Sequence, residues 1–279
     1  MSAESTGPRK PLMVAVIEND IEKLKEALAA TPPPTTEELG IAAYSIANSA
    51  NEKHLLAIKL ILDRDASLCG SLVGPACRNK DTELFQLMYD NGWGEDQINA
   101  SFSRPYEHLL SVVRSVKALQ WLLDHGLDPN LPAERGMSGC IGDLTPLNAV
   151  AKALGSYADI AIEAMELLVS RGAVLDYNVL KTALVRGRRE ACFDGDVPRW
   201  ILQHATDFDI NTPSRKGYPL LHAAILNQRQ QLVAWLLENG ADPSIRVKHK
   251  GRWKNAVKIA EEVCNVLILD LVIAAAKAQ

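Results

Sequence analysis

The feature that most constrains the fold of this chain is a short pattern that recurs along it. LQWLLDHGLDPN at residues 119–130 and LVAWLLENGADPS at 232–244 share a leucine pair, a charged turn, a glycine and Asp-Pro. MELLVSRGAVLD at 165–176 keeps the leucines and the glycine, whereas PRWILQHATDFDIN at 198–211 has Ala205 at the glycine's position. Recurrence at a nearly fixed period predicts a repeat protein whose units share one core.

The segments that precede these turns resemble the first helix of the ankyrin repeat. Residues 217–224 read GYPLLHAA and residues 145–151 read TPLNAVA, which is similar to the family motif T-P-L-H-x-A. His222 lies 18 positions before Gly240, and His108 lies 18 positions before Gly126. The chain is therefore identified as an ankyrin-repeat protein, and the resemblance implies an all-α solenoid of helix-turn-helix units joined by extended loops.

The spacing of the turns agrees with that family. Turn positions fall at residues 92, 126, 172, 205 and 240, with separations of 34, 46, 33 and 35, against a family period of about 33. Insertions in the middle repeats explain the outlier. We expect a disordered N-terminus at 1–10 and a single ankyrin-repeat domain at 11–277 of about eight units, at residues 11–31, 38–68, 71–100, 104–130, 144–176, 177–211, 217–245 and 252–277.

The recurring residues have specific roles in such a unit. Small residues in the first helix let neighbouring helices approach closely, and burial of a leucine from the second helix contributes roughly 1.5–3 kcal/mol. The glycines at 126, 172 and 240 suit the left-handed conformation that ends a helix. Pro146 fits a first helical turn. Trp121, Trp200 and Trp235 occupy one equivalent repeat position, so we expect all three to be buried.

Composition narrows the functional classes. The net charge is −4 and the pI is about 5.9, which argues against a nucleic-acid-binding protein. Five cysteines, no two closer than eight positions, favour reduced thiols over a disulfide framework or a paired metal site. The N-terminal MSAESTGPRK lacks the apolar segment of a signal peptide, and no apolar run reaches the length of a membrane span. We expect a cytoplasmic or nuclear protein, monomeric on its own, without metal or cofactor.

The resemblance implies that the concave groove and the loop tips bind another protein. Interface hot spots favour Trp, Tyr and Arg, and candidates on successive loops are Arg104, Tyr106, Arg135, Arg215, Lys216, Tyr218, Arg246, Lys248, Arg252 and Trp253. Residues 246–254 hold five lysines and arginines together with His249, a charge that suits an acidic partner segment or a phosphate. The plainer interpretation is that these are ordinary solvated loop charges.

Three further questions stay open at this point. The resemblance implies that His108 and His222, at the motif position, bind the neighbouring loop backbone; the alternative roles are catalysis or metal binding. Trp93, in place of the motif's alanine, is either an exposed anchor or a plug beneath its loop. The alternative function is an enzyme or small-ligand protein with a site assembled in the groove, for which Arg104, Tyr106, His108 and Asp143 are the first residues to inspect. None of the common catalytic motifs occurs in the chain.

Overall fold

The computed structural model describes residues 11–49, 54–103, 106–132, 145–154, 157–184, 196–205, 209–213 and 217–278, with the side chains of 106 and 107 excepted. Within these ranges seventeen α-helices and one two-stranded hairpin are formed, which confirms the all-α prediction. The chain divides into two compact units, Met1–Pro146 and Leu147–Gln279.

The first unit is built from helix pairs and one additional helix. Its helices are α1 (Pro11–Glu18), α2 (Ile21–Leu28), α3 (Thr36–Ser49), α4 (His54–Leu62), α5 (Cys69–Asn79), α6 (Thr82–Asp90), α7 (Glu95–Ser103), α8 (Tyr106–Val112) and α9 (Val116–Asp124), with a short 3₁₀ turn at Ala66–Leu68. The helices α1, α3, α5 and α8 pack side by side, and α2, α4, α6 and α9 form a second row. Two layers of helices therefore enclose the core of this unit.

The second unit holds the remaining helices and the hairpin. They are α10 (Pro146–Leu154, which begins at the boundary), α11 (Ala158–Ser170), α12 (Tyr177–Leu184), α13 (Asp196–His204), α14 (Leu220–Leu226), α15 (Gln230–Glu238), β1 (Val247–His249), β2 (Arg252–Lys254), α16 (Ala256–Val263) and α17 (Val266–Ala278). Here α14 packs against α15 and α16, and α17 packs against α15 and α16. That α10 starts at Pro146 confirms the predicted first-turn role of this proline.

One turn geometry recurs between the first and second helices of several pairs. Asn19, Lys80, Gln228 and Cys264 all have positive φ. In three of these turns the next residue donates its N–H to the carbonyl five positions earlier, from Asp20 to Ala15, from Asp81 to Ala76 and from Arg229 to Ala224, at 3.0–3.1 Å. The same local bonding, at positions far apart in the chain, is what a repeated unit requires.

A second geometry recurs where the second helix of a pair ends. The predicted left-handed glycines are confirmed, with φ of +99° at Gly126, +89° at Gly172 and +88° at Gly240. The residue after each glycine donates its N–H to a carbonyl of the last helical turn; Leu127 bonds to Leu122 at 2.9 Å. This is the Schellman ending, in which a residue without a Cβ adopts the left-handed conformation at little cost.

The helix α7 corrects the expected extended loop between residues 92 and 104. Glu95 and Asp96 lie in its first turn, where carboxylates interact favourably with the helix dipole. Ile98 and Phe102 are spaced by four and are both fully buried, so one face of the segment joins the core. A nine-residue helix with an apolar face thus replaces an open loop here.

The tryptophan prediction holds at two of three positions. Trp200 and Trp235 are buried. Trp121 is only partly buried; its ring stacks on His125 at 3.8 Å and its Nε1 donates to Gln86 Oε1. Trp93 is a plug and not an exposed anchor: it is 2% exposed and its Nε1 donates to Ser101 Oγ at 3.2 Å.

A single asparagine side chain bonds the turn after α9, and another bonds the turn after α15. Asn99 Nδ2 donates to the carbonyl of Gly126 at 2.8 Å, and Asn99 Oδ1 accepts from the N–H of Asp128 at 2.9 Å. Asn211 makes the equivalent bonds to Gly240 at 3.4 Å and Asp242 at 2.8 Å. The two asparagines lie in different compact units, so each unit uses the same side-chain clamp.

Candidate protein-interaction surface

The hairpin β1–β2 presents two chemically different faces. Its antiparallel register pairs Val247 with Lys254 and Lys248 with Trp253, and directly opposed residues share one face. Val247 is buried and the Lys254 side chain is 12% exposed, so this pair faces the unit. Lys248 is exposed and Trp253 is 64% exposed, so this pair faces outward.

The base of the hairpin is held by a buried histidine. His222 Nε2 lies 3.0 Å from the carbonyl of Ile245; because a carbonyl only accepts, the Nε2 carries the hydrogen. This confirms the predicted bond from the motif histidine to loop backbone. The imidazole is fully buried, and this desolvation lowers the pKa of His222. The N–H of Ala256 closes the loop by donating to the Pro243 carbonyl at 3.1 Å.

Tyr218 and His249 fix the inward face. The hydroxyl of Tyr218 lies 3.0 Å from Nδ1 of His249 and donates toward the carbonyl of Lys248 at 3.3 Å. The His249 side chain is only 12% exposed. Tyr218 therefore supports the hairpin from inside, and its hydroxyl is engaged within the unit.

Glu262 on α16 divides the positive charge of the hairpin into two groups. Its carboxylate is hydrogen-bonded to Lys254 and lies 3.6 Å from His249 and 3.7 Å from Lys250. The hydrogen bond from Lys254, followed by the nearby positive charges, lowers the pKa of Glu262. In contrast, no acidic side chain in the described part of the chain pairs with Arg246, Lys248 or Arg252, and all three are exposed.

The structure brings together half of the predicted site. Arg246, Lys248, Arg252 and Trp253 lie on one hairpin, and Tyr218 supports it from below. The others lie outside the described side chains: Arg104, Tyr106, Arg135, Arg215 and Lys216. Sequence reasoning missed Glu262, since it lies eight positions from Lys254 in a separate helix and no motif marks it.

Two described cavities of the first unit differ in size and in the side chains that line them. One of about 500 Å³ is lined by Ala66, Ser67, Cys69, Gly70, Gly92, Trp93, Gln97, Ala100 and Ser101. Its one titratable side chain is the Cys69 thiol, whose pKa is raised by burial. A smaller cavity of about 200 Å³ is lined by residues that include Arg64 and Asp65. Hydrogen bonds from Ser67 and Thr36 lower the pKa of Asp65.

The described ranges contain neither a cluster of metal-binding side chains nor a membrane-spanning helix. No group of three or more His, Cys, Asp or Glu side chains there is placed to hold a metal ion. No helix there combines the length and the apolar character needed to cross a membrane. Of the residues considered for a hidden active site, His108 is described, whereas Arg104, Asp143 and the side chain of Tyr106 are not.

Comparison with known proteins identifies a recognised repeat that ends within the first strand of the hairpin. The family model of the ankyrin repeat matches residues 216–248, a segment that contains α14, α15, the Gly240 turn and the first two residues of strand β1. This one matched repeat supports the resemblance of the chain to ankyrin-repeat proteins.

A curated protein also resembles part of the chain. It is an L-asparaginase from Dirofilaria immitis, 27% identical over 171 residues, which are 60% of this chain and 26% of that protein. The likeness thus spans about a quarter of the relative's length. A distant, partial match of this kind does not establish an enzyme function.

Proposed function

We propose that this chain is a protein-interaction module and that the outward face of hairpin β1–β2 binds an acidic segment of its partner. The observation that carries the proposal is the pair formed by Trp253 and Lys248, which lie opposite each other on the two strands and are both exposed. Tryptophan and arginine are the side chains most often found as interface hot spots. The ankyrin match, which ends within β1, supports binding of another protein.

The local charge favours an acidic partner over a neutral one. The chain as a whole carries −4, yet three cations on this hairpin have no acidic neighbour among the described residues. Unpaired cations at a surface steer an oppositely charged partner and stabilise it once bound. The anchoring by His222 and Tyr218 holds the hairpin in one conformation, which reduces the entropy lost on binding.

We further infer that the helix pairs are ankyrin units, about eight in number within residues 11–277. The recurring turns and the two asparagine clamps support this inference beyond the one matched repeat. We propose that the module acts as a monomer in the cytoplasm or nucleus. An enzyme function, with a site assembled in the groove, is the alternative; the larger described cavity has Cys69 as its one titratable side chain.

The binding proposal is tested by charge reversal on the hairpin. The immobilised protein is exposed to native lysate, and retained proteins are identified by mass spectrometry. The test variant combines Arg246→Glu, Lys248→Glu and Arg252→Glu. The matched control combines Lys59→Glu, Lys117→Glu and Lys277→Glu, which are also exposed and change the net charge equally.

The expected result is a protein retained by the natural chain and the matched control but lost by the hairpin variant. Retention should weaken as salt is raised, since screening reduces exposed charge interactions. Trp253→Ala should weaken retention without changing the circular dichroism spectrum. If the hairpin variant retains the same proteins as the natural chain, the hairpin is not the binding surface.

A further inference from the structure

The hairpin β1–β2 is closed by a two-residue turn. Lys250 and Gly251 both have positive φ, +48° and +79°, as the type I′ hairpin turn requires. In a β-turn the N–H of the fourth residue donates to the carbonyl of the first, so Arg252 and His249 are the hydrogen-bonded pair next to the turn. Bonded and non-bonded pairs alternate along an antiparallel ladder. The next pair, Lys248 and Trp253, is therefore a non-bonded pair.

The backbone groups of a non-bonded pair point away from the hairpin, toward its two outer edges. At the β1 edge, the carbonyl of Lys248 accepts a hydrogen bond from the Tyr218 hydroxyl at 3.3 Å, which agrees with this direction. At the β2 edge, the N–H and the carbonyl of Trp253 have no partner among the described residues, and the residue is 64% exposed. The chain itself thus covers one edge of the hairpin and leaves the other open.

An open strand edge can pair with an extended segment of another protein. Trp253 offers one N–H and one carbonyl, and in antiparallel pairing a single residue of the incoming strand bonds both. The side chain of that residue lies on the same face as the indole, and the following residue of the incoming strand lies opposite Arg252. Arg252 is exposed and has no acidic partner in the described part of the chain.

We propose that the acidic segment of the partner binds as a third, antiparallel strand along the β2 edge. An apolar residue of the segment packs against the indole of Trp253, and the acidic residue that follows it lies beside Arg252. This inference rests on the proposed function and adds to it the conformation and the residue pattern of the bound segment. Alternation of apolar and acidic residues is the pattern that two differently charged faces of one strand select.

The edge is held in place before the partner arrives. Lys254, next to Trp253, is hydrogen-bonded to Glu262 on α16, and its strand partner Val247 is buried. Strand β2 is therefore fixed to the unit at the residue beyond Trp253. Because the hairpin is already ordered, most of the conformational entropy lost on binding is that of the incoming segment.

The experiment is an NMR titration of the full-length ¹⁵N-labelled chain with the peptide acetyl-Thr-Glu-Val-Glu-Thr-amide. In the proposed register its valine lies opposite Trp253 and the second glutamate lies opposite Arg252. The peptide should produce a saturable shift of the Trp253 amide resonance and slow the hydrogen exchange of that amide, since its N–H gains an acceptor. The variant that combines Arg246→Glu, Lys248→Glu and Arg252→Glu should lose this binding, whereas the matched lysine control should keep it.

Two methylated peptides test the main-chain bonds separately from the charges. N-methylvaline in place of valine removes the N–H that faces the Trp253 carbonyl and holds the strands apart, so affinity should fall roughly five- to a hundredfold, the range for two lost hydrogen bonds. N-methylation of the glutamate after valine changes an N–H that points away from β2, so that peptide should bind as the unmodified one does. Both peptides carry the same charge and the same side chains.

A pair of protein variants makes the same test from the other side. Trp253→Ala and Trp253→Pro both remove the indole, but only proline removes the N–H as well. Proline is tolerated at an edge position whose N–H faces solvent, and unchanged resonances of Val247 and Tyr218 will verify that the hairpin persists. The unmodified peptide should bind the proline variant about two- to tenfold more weakly than the alanine variant, as expected for one hydrogen bond.

The outcomes separate this inference from the proposal on which it rests. If binding depends on the hairpin charges but the two methylated peptides bind equally well, the acidic segment does not pair with β2; the strand inference is overturned and the proposed function stands. Equal affinity of the alanine and proline variants would likewise overturn it. If the natural chain shows no saturable shift of Trp253, or the charge-reversal variant binds as well as the natural chain, both proposals fail.

Discussion

Replacing Asn99 by alanine should destabilise the first unit, because this side chain clamps α7 to the turn after α9. The amide makes three hydrogen bonds: Nδ2 to the carbonyls of Gly126 and Glu95, at 2.8 and 3.1 Å, and Oδ1 from the N–H of Asp128 at 2.9 Å. Each such bond contributes a net stabilisation of about 0.5–1.5 kcal/mol. Two of the three hydrogen bonds are exposed, so in the variant water can bond to the backbone groups that Asn99 leaves. The summed loss of stabilisation is therefore about 2 kcal/mol.

Alanine offsets part of that loss. It is the better helix former, by roughly 0.5 kcal/mol in the interior of a helix such as α7. The expected net decrease in the free energy of unfolding is therefore about 1.5 kcal/mol. Urea unfolding followed by circular dichroism measures it. Gln97→Ala, at an exposed position of the same helix, is the matched control and should not destabilise. If the two variants are equally stable, the clamp contributes nothing and the reasoning is refuted.

The remaining predictions concern turns and pH. Gly126→Ala should be more destabilising than Gly240→Ala: both have positive φ, which costs an alanine roughly 1–2 kcal/mol, but only at Gly126 would the new Cβ meet a neighbour, 2.7 Å from Glu95 Cγ. Equal unfolding free energies would contradict this. Because burial lowers the pKa of His222, the unfolded chain binds the proton first, and the free energy of unfolding should fall as the pH drops below about 6.5. His222→Gln keeps a donor for Ile245 and does not titrate, so urea unfolding across that pH range should show a flatter decline; an unchanged slope would exclude His222 as its source.

The repeat pattern predicted local geometry well where one motif fixes one conformation. Gly126, Gly172 and Gly240 adopt the left-handed turns that their positions indicated, and His222 bonds the loop backbone. These features follow from residues close in sequence or at a fixed repeat distance. The family match at residues 216–248 falls on the segment where that pattern is clearest.

Features that depend on contacts between helices distant in the sequence could not be predicted from the repeat pattern. The helix α7 was missed because the repeat period assigned a loop to its residues, although Ile98 and Phe102 have helical spacing. Arg78 finds its acceptors 30 and 34 positions earlier, and no local pattern connects them. The basic residues of the hairpin were recognised as a cluster from the sequence. Only the position of Glu262 on α16 shows that Lys250 and Lys254 lie beside a carboxylate.

The exposure of Trp253 gives the chain an internal optical reporter. The rings of Trp93, Trp200 and Trp235 are 2–7% exposed and Trp121 is partly covered, whereas Trp253 is 64% exposed. Iodide in solution should therefore quench the emission of Trp253 far more than that of the buried rings. The nearby Lys248 and Arg252 attract the iodide ion and strengthen this quenching. A partner that covers the hairpin should shield the indole, so its arrival can be followed by fluorescence without any attached dye.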